Sequence, residues 1–314
     1  MTAMSTSKAL QKKKKYRAED WQLYVMAAPT IIFLLIFCYA PMFGLVMAFQ
    51  ELNISKGIFG SPFVGLANFK FLFATTDAWV ITRNTVCYNL VFIALNMLLA
   101  VTLAMLLSEL RNQKTAKVLQ TIYMLPYFLS WAVVAIILTA FLDKQNGLVN
   151  RVIAALGGKG NVDWYKRRDV WPFLLVGINA WKGVGYSTVL YLAAITGIDA
   201  NQYEAAAIDG ASKWQQVLYV TLPHLRTMIC ILFIMNVGKI FASDFGLFYN
   251  VPMQNGALFS VTQTIDTYVY RAYIATGNPG QSSAAGLLQN VLGFICILSA
   301  NAIVKKIDSD SAMF

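Results

Sequence analysis

The chain has 314 residues, 58% of them hydrophobic and 13% charged, with a formal net charge of +10. Its apolar share lies above that of an ordinary soluble domain and its charged share is about half, which excludes a water-soluble fold. The basic excess points to membrane topology and anionic lipid rather than nucleic acid, because no aromatic-basic recognition motif is present.

A basic tail over 1–20, with Lys8, Lys12 to Lys15 and Arg17, opens the chain. Six apolar stretches follow that approach the roughly 20 residues a transmembrane helix needs. The N-terminal span lies within 21–50 and runs from Leu23 to Phe49 without a charge. It is too long for the core of a secretory signal, and Pro41, Met42 and Phe43 offer no small-residue cleavage site, so it reads as a retained span. A core over 84–305 holds the other five, within Asn84–Ser108, Val118–Leu142, Val170–Ile195, Leu218–Ala242 and Ala284–Val304, and 306–314 is a closing tail. These runs are far longer than the alternating strands of a membrane barrel. The expected fold is all-α, a polytopic membrane protein of six transmembrane helices.

Six spans put both termini on one side. The basic tail, Arg111, Lys114 and Lys117 after the second span, and Lys305 and Lys306 at the end make that side cytoplasmic, although 143–169 is also basic. The loops 51–83, 143–169 and 243–282 are then external. Cys38, Cys87, Cys230 and Cys296 fall inside spans, with neither metal-ligand spacing nor a disulfide pattern. His224 is the single histidine, which leaves no histidine-based metal cluster or proton relay.

Between the fourth and fifth spans the chain reads Glu204-Ala-Ala-Ala-Ile-Asp-Gly210-Ala-Ser-Lys-Trp-Gln-Gln-Val-Leu-Tyr-Val-Thr-Leu-Pro223. Asp199 to Gln202 has the spacing of a capping box, Ala205 to Ala207 propagate a helix cheaply, and Gly210 ends it in the left-handed conformation. Ser212 to Gln215 is a second box that starts another helix, and Pro223 is expected to bend its approach to the bilayer. Glu204, Ala207, Ile208 and Ala211 form a narrow stripe of mostly small side chains. Asp199, Glu204, Asp209 and Lys213 make the segment locally acidic on a face where positive charge is the rule, an invitation to a partner.

This stretch resembles the E-A-A-x3-G-x9-I-x-L-P signature of bacterial ABC importer permeases, with Val220 in place of isoleucine as the one departure. The resemblance implies a type I ABC importer permease fold. It also implies a coupling role for Glu204, Ala205, Ala206, Asp209, Gly210, Ala211 and Pro223, docking on an ATP-binding subunit outside this chain. In keeping with that, no G-x-x-x-x-G-K-S/T sequence is present; Gly157-Gly-Lys-Gly160 lacks the spacing and the hydroxyl. No cofactor or enzyme activity is expected in this chain, and ATP and Mg belong to two ATP-binding partner subunits. The implied location is a bacterial plasma membrane, and the other implied partners are a second permease subunit and an extracellular solute-binding protein.

Trp181-Lys-Gly-Val-Gly185-Tyr186 and Tyr191 to Ile195 look like the carbohydrate branch, the maltose-type first permease. Asp266 to Arg271, Ser282 to Gly286 and Ile303 to Ile307 look like its oligosaccharide and polysaccharide-fragment group, often called the LplB type. The implied substrate is an oligosaccharide. Polar side chains within spans tend to face a bundle interior or an aqueous path. That makes Asn89, Asn96, Asn179, Lys182, Asn236, Lys239, Gln289 and Asn290 pathway candidates, with Trp181 and Tyr186 as rings for packing on a pyranose. The same amides also suit helix-to-helix bonding. Amino acids, peptides or another solute stay open as substrates, as does a scaffold that only holds an ATPase.

Overall fold

The computed structural model describes residues 20–53, 55–74, 77–308 and 312–313. The basic tail over 1–19 lies outside the described residues, as do 309–311 and Phe314 of the closing tail. Among the described residues the regular elements are all helices, joined by turns and loops, apart from an isolated antiparallel bridge between Gln50 and Phe63.

The first span is α1 (Asp20–Leu34), which passes through a π-helical turn, Leu35–Tyr39, into a 3-10 stretch, Ala40–Phe49. The second is α2 (Ala78–Ser108). It begins before the predicted Asn84 because Arg83 and Asn84 have protein partners: Asn84 donates to the carbonyl of Gln263 at 2.9 Å and Arg83 to that of Ser260 at 3.2 Å.

The third span departs from the straight helix expected over Val118–Leu142. α3 (Gln113–Met124) tightens into a 3-10 turn, Leu125–Phe128, and α4 (Trp131–Leu142) leaves at a bend of 97°. Pro126 lies in the tight turn, and Leu129 and Ser130 are extended. The Ser130 hydroxyl then accepts the N–H of Val133 at 3.3 Å and starts a new helix.

α5 (Trp171–Thr196) runs alongside α2, and α6 (Ala200–Ile208) follows it. α7 spans Lys213–Val237, earlier at both ends than the predicted Leu218–Ala242. Its start is set by the capping box on Ser212, and its end by Gly238, whose carbonyl lies where a β-carbon on Gly293 would come within 2.3 Å. Pro223 is the second residue of the α-helical part of α7, Leu222–Val237. A π-helical turn, Val217–Thr221, comes just before it, as Leu35–Tyr39 comes just before Pro41. Widening the turn moves the carbonyl that the proline ring would strike. α8 (Ile265–Thr276) and α9 (Pro279–Ile307) complete the chain.

By length and apolar character, four described helices can cross a membrane, Trp21–Phe49, Ala78–Ser108, Lys213–Val237 and Pro279–Ile307; the bent pair makes a fifth. α5 has the length, 26 residues, but Asn179, Lys182, Tyr186 and Ser187 dilute its apolar character. All six predicted spans therefore fall on helical segments, with α5 and the broken third span the atypical ones.

Of four apolar clusters among the described residues, two hold α2 against α5. One, at the end bearing the 143–169 and 243–263 segments, packs Tyr88, Phe92, Val134, Trp171 and Leu175 against Leu247, Phe248, Val251 and Leu258. The other, toward α6, packs Ala100, Ala104 and Leu225 against Val184, Tyr191 and Ile195. The 243–263 segment is thus part of the core and not a passive connection.

The 143–169 loop is folded around Asn150, 1% exposed. Its amide donates to the carbonyls of Asp143, Lys144 and Val162, and its oxygen accepts the N–H of Val162 and Trp164 Nε1 at 3.2 and 3.1 Å. Alanine there strips all of these contacts, in which two amide hydrogens are shared among three carbonyls, and a loss of about 3 kcal/mol is expected. Limited proteolysis checks this: Asn150→Ala will be cut within 143–166 at protease levels that leave the wild-type loop intact. Burial of the Tyr165 phenol in the same loop raises its pKa, which keeps it protonated beside the Thr139 hydroxyl at 3.2 Å.

Candidate functional site

Two features could carry function, one just beyond the end of α5 and one along its length. The first is α6. Its start is capped by Asp199, whose carboxylate accepts the N–H of Asn201 at 3.0 Å, without the reciprocal glutamine contact of a full box. Its end closes as expected: Gly210 has φ +80°, and the N–H groups of Ala211 and Gly210 return to the carbonyls of Ala206 and Ala207 at 2.9 and 3.1 Å. The second capping box is complete, with Ser212 N–H on Gln215 Oε1 at 2.7 Å and Gln215 N–H on Ser212 Oγ at 3.4 Å.

Every turn of this helix–turn–helix is therefore held locally, and its outer face is open. Glu204, Ala205, Asp209 and Gly210 are exposed, Ala206 and Ala211 half-buried, and Pro223 exposed at the base of α7. Ile208 is 86% exposed and Trp214 69%. Two contacts tie the unit to the bundle, Tyr203 Oη with Thr221 Oγ1 at 2.9 Å and Lys213 Nζ with Glu109 Oε2 at 3.4 Å. Sequence reasoning did not find these ties, because their partners lie on other helices.

The second feature is a cavity of about 540 Å³ between α2, α5, α7 and the 242–244 turn. Asn89, Asn96, Asn179, Tyr186, Asn236 and Lys239 all line it, together with Phe92, Tyr191, Ser243 and Asp244. The Asn89 amide donates to the carbonyls of Ile240 and Ala242, each at 2.9 Å, and fixes the turn beyond α7. Asn96 Nδ2 donates to Asn179 Oδ1 at 2.8 Å, while Asn96 Oδ1 is buried without a partner. A buried acceptor left unmet costs about 1–3 kcal/mol. The cavity thus presents neutral amides, ring faces, one ammonium and one carboxylate.

The remaining predicted residues lie elsewhere. Gln289 sits behind the wall, donating to the Phe241 carbonyl at 2.7 Å and to Asp266 Oδ2 at 3.3 Å, an oxygen that also accepts the Ser243 N–H and hydroxyl. Lys182 donates to the Tyr127 carbonyl at 2.7 Å. Trp181 and Asn290 are exposed and do not line the cavity. Asp244 was not legible as a cavity residue. Its Oδ2 accepts Trp131 Nε1 at 2.9 Å and its Oδ1 the N–H of Leu247 at 3.2 Å, a capping role that a sequence shows only once the neighbouring helix is known.

The polygalacturonan/rhamnogalacturonan transport system permease protein YteP of Bacillus subtilis (strain 168) is 34% identical over 289 residues, covering 90% of this chain and 88% of the relative. Protein LplB of the same organism is 33% identical over 316 residues, covering 98% and 95%. Among solved structures, a chain of a bacterial ABC transporter involved in the import of the acidic polysaccharide alginate superposes with a TM-score of 0.81 at 30% identity, covering 92% of this chain and 97% of that one. The family described as the binding-protein-dependent transport system inner membrane component matches residues 96–309, from the middle of α2 through α5, α6 and α7 to the end of α9. With that match and those relatives, the chain belongs to the binding-protein-dependent transport system inner membrane components.

Proposed function

We propose that this chain is the permease subunit of an ATP-driven importer of oligosaccharides, forming the translocation pathway with a second permease subunit in a bacterial plasma membrane. The observation that carries the reading is one helix, α5, joining a cavity of neutral amides and aromatic rings to an exposed, doubly capped helix that bears the Glu204-Ala205-Ala206 and Gly210 pattern. Sugar hydroxyls both donate and accept. The amides of Asn179 and Asn236 answer them, and Phe92 and Tyr186 offer faces to the apolar side of a pyranose. The names of the relatives, which concern pectic polysaccharides and alginate, favour the same solute class.

In this reading both termini and α6 are cytoplasmic, and an extracellular solute-binding protein delivers the sugar at the end bearing 143–169 and 243–276. Of the two ATP-binding subunits, which hold the ATP and Mg, one grips α6, and the closure of the pair is carried by α5 to the cavity. The chain is one two-state element whose equilibrium both ends bias. No bond of the sugar is made or broken here.

The test is reconstitution of the assembly, purified through a tag on this chain, into vesicles with the loaded binding protein and labelled oligogalacturonate or maltodextrin. ATP-dependent accumulation of one of them is the expected result, with no ATP hydrolysis by this chain alone. ATP hydrolysis by the isolated chain, or an assembly that binds sugar and ATP without moving either solute, overturns the reading.

A further inference from the structure

Lys182 is the twelfth residue of the 26-residue α5 and so sits near its middle, where an ammonium must find partners. It does not line the cavity. Its Nζ donates to the Tyr127 carbonyl at 2.7 Å, inside the elbow that breaks the third span, and lies 5.3 Å from the centre of the Tyr127 ring and 5.1 Å from that of Trp131. A broken helix leaves carbonyls unmet, and backbone of this kind persists at membrane depth only where protein or trapped water satisfies it. Lys182 supplies the donor.

The same indole that receives the ammonium on its face donates its edge N–H to Asp244, at 2.9 Å. A cation on the negative face and an anion on the positive edge each match the ring's charge distribution, so Trp131 links two charges that make no direct ion pair. Asp244 lines the cavity and caps the Phe245–Asn250 helix. Two further contacts grip the elbow. Tyr186, which also lines the cavity, stacks on Tyr127 at 4.7 Å and 12°, and Gly185 lets α5 come so close that a β-carbon there would lie 1.9 Å from the Tyr123 carbonyl.

We infer that Lys182 is a positioning residue for transport: through the Tyr127 carbonyl and Trp131 it locks the elbow to α5, so that a displacement of α5 at the α6 end moves α4 and Asp244 at the cavity wall. The proposal rests on the importer reading and adds the path by which motion reaches the cavity. Loss of the ammonium frees the elbow without removing a group from the sugar's surroundings. ATP hydrolysis then continues while sugar no longer moves with it.

The experiment measures ATP hydrolysed and labelled sugar accumulated by the reconstituted assembly. For Lys182→Met, sugar moved per ATP falls by about tenfold or more, equivalent to about 1.4 kcal/mol of lost coupling, with the half-saturating sugar concentration unchanged. Lys182→Arg keeps a donor and a cation over the rings and restores most of the coupling. Trp131→Phe keeps a ring under the lysine, deletes the N–H to Asp244, and lowers coupling in the same way; it decides the matter if Lys182→Met does not assemble. Wild-type coupling in Lys182→Met or Trp131→Phe overturns the proposal, as does a shifted half-saturation with coupling intact, which would make Lys182 a sugar contact. A wild-type assembly that moves no sugar overturns the importer reading instead, and this proposal with it.

Discussion

Gly210→Leu will insert and accumulate in the membrane like the wild type, and ATP-driven sugar uptake will fall by about tenfold or more. The residue sits at φ +80°, where a side chain costs about 1–2 kcal/mol, and a β-carbon there meets nothing within 4 Å. The bundle can tolerate that local strain. What changes is the open surface between α6 and α7, where a leucine stands in the way of any partner that closes on Glu204, Ala205 and Asp209. Gly57→Leu is the control: it has φ +68°, equally open surroundings, and lies outside both α6 and the 143–169 and 243–276 segments that receive the binding protein. Uptake by vesicles and co-purification of ATPase subunits are the measurements. Equal loss in both variants would mean that strain and not docking is responsible, and normal uptake in Gly210→Leu would remove α6 from the mechanism.

Gly185→Ala will be the more destructive change to the fold. The added carbon would lie 1.9 Å from the Tyr123 carbonyl and 3.1 Å from the Met124 nitrogen, both backbone atoms at the end of α3. Neither can rotate away, so α5 must withdraw from the elbow, and the Tyr127–Tyr186 stack and the Lys182 bond open with it. Overpacking of this kind costs about 1–3 kcal/mol, and the lost bond and stack add to it. Thermal melting of the detergent-solubilised chain should show a transition several degrees below the wild type. Gly177→Ala, on the same helix with nothing within 4 Å of its β-carbon, should melt as the wild type does.

The contrast between these sites explains what the amino-acid order disclosed. α6 was legible to within a residue or two because its determinants are local. Asp199 and Ser212 cap the helices that follow them, and Gly210 is the residue that a left-handed turn requires. The amides of Asn89, Asn96, Asn179 and Asn236 were legible as a set, since polar groups in apolar helices collect where the lipid does not reach, and the structure brings them to one cavity. Gln289 and Lys182 carry the same polarity and are drawn elsewhere, one by Asp266 and the other by the Tyr127 carbonyl. Periodicity cannot separate these fates, because the deciding partner lies 23 or 55 residues away in sequence. The elbow was hidden for a related reason. Pro126 and Ser130 sit in a run apolar enough to pass for one span, and the hydrogen bond that makes a break there tolerable comes from a later helix.

The broken third span also bears on how the chain is made. α3 and α4 are 12 residues each, well short of the roughly 20 that hold a helix across the hydrocarbon on its own. As the chain leaves the ribosome in order, the 113–142 region is present before Lys182 has been synthesised. It follows that the proline turn and serine cap of the elbow are in the chain before the ammonium that meets the Tyr127 carbonyl, so the last bond of the elbow is a late step of assembly.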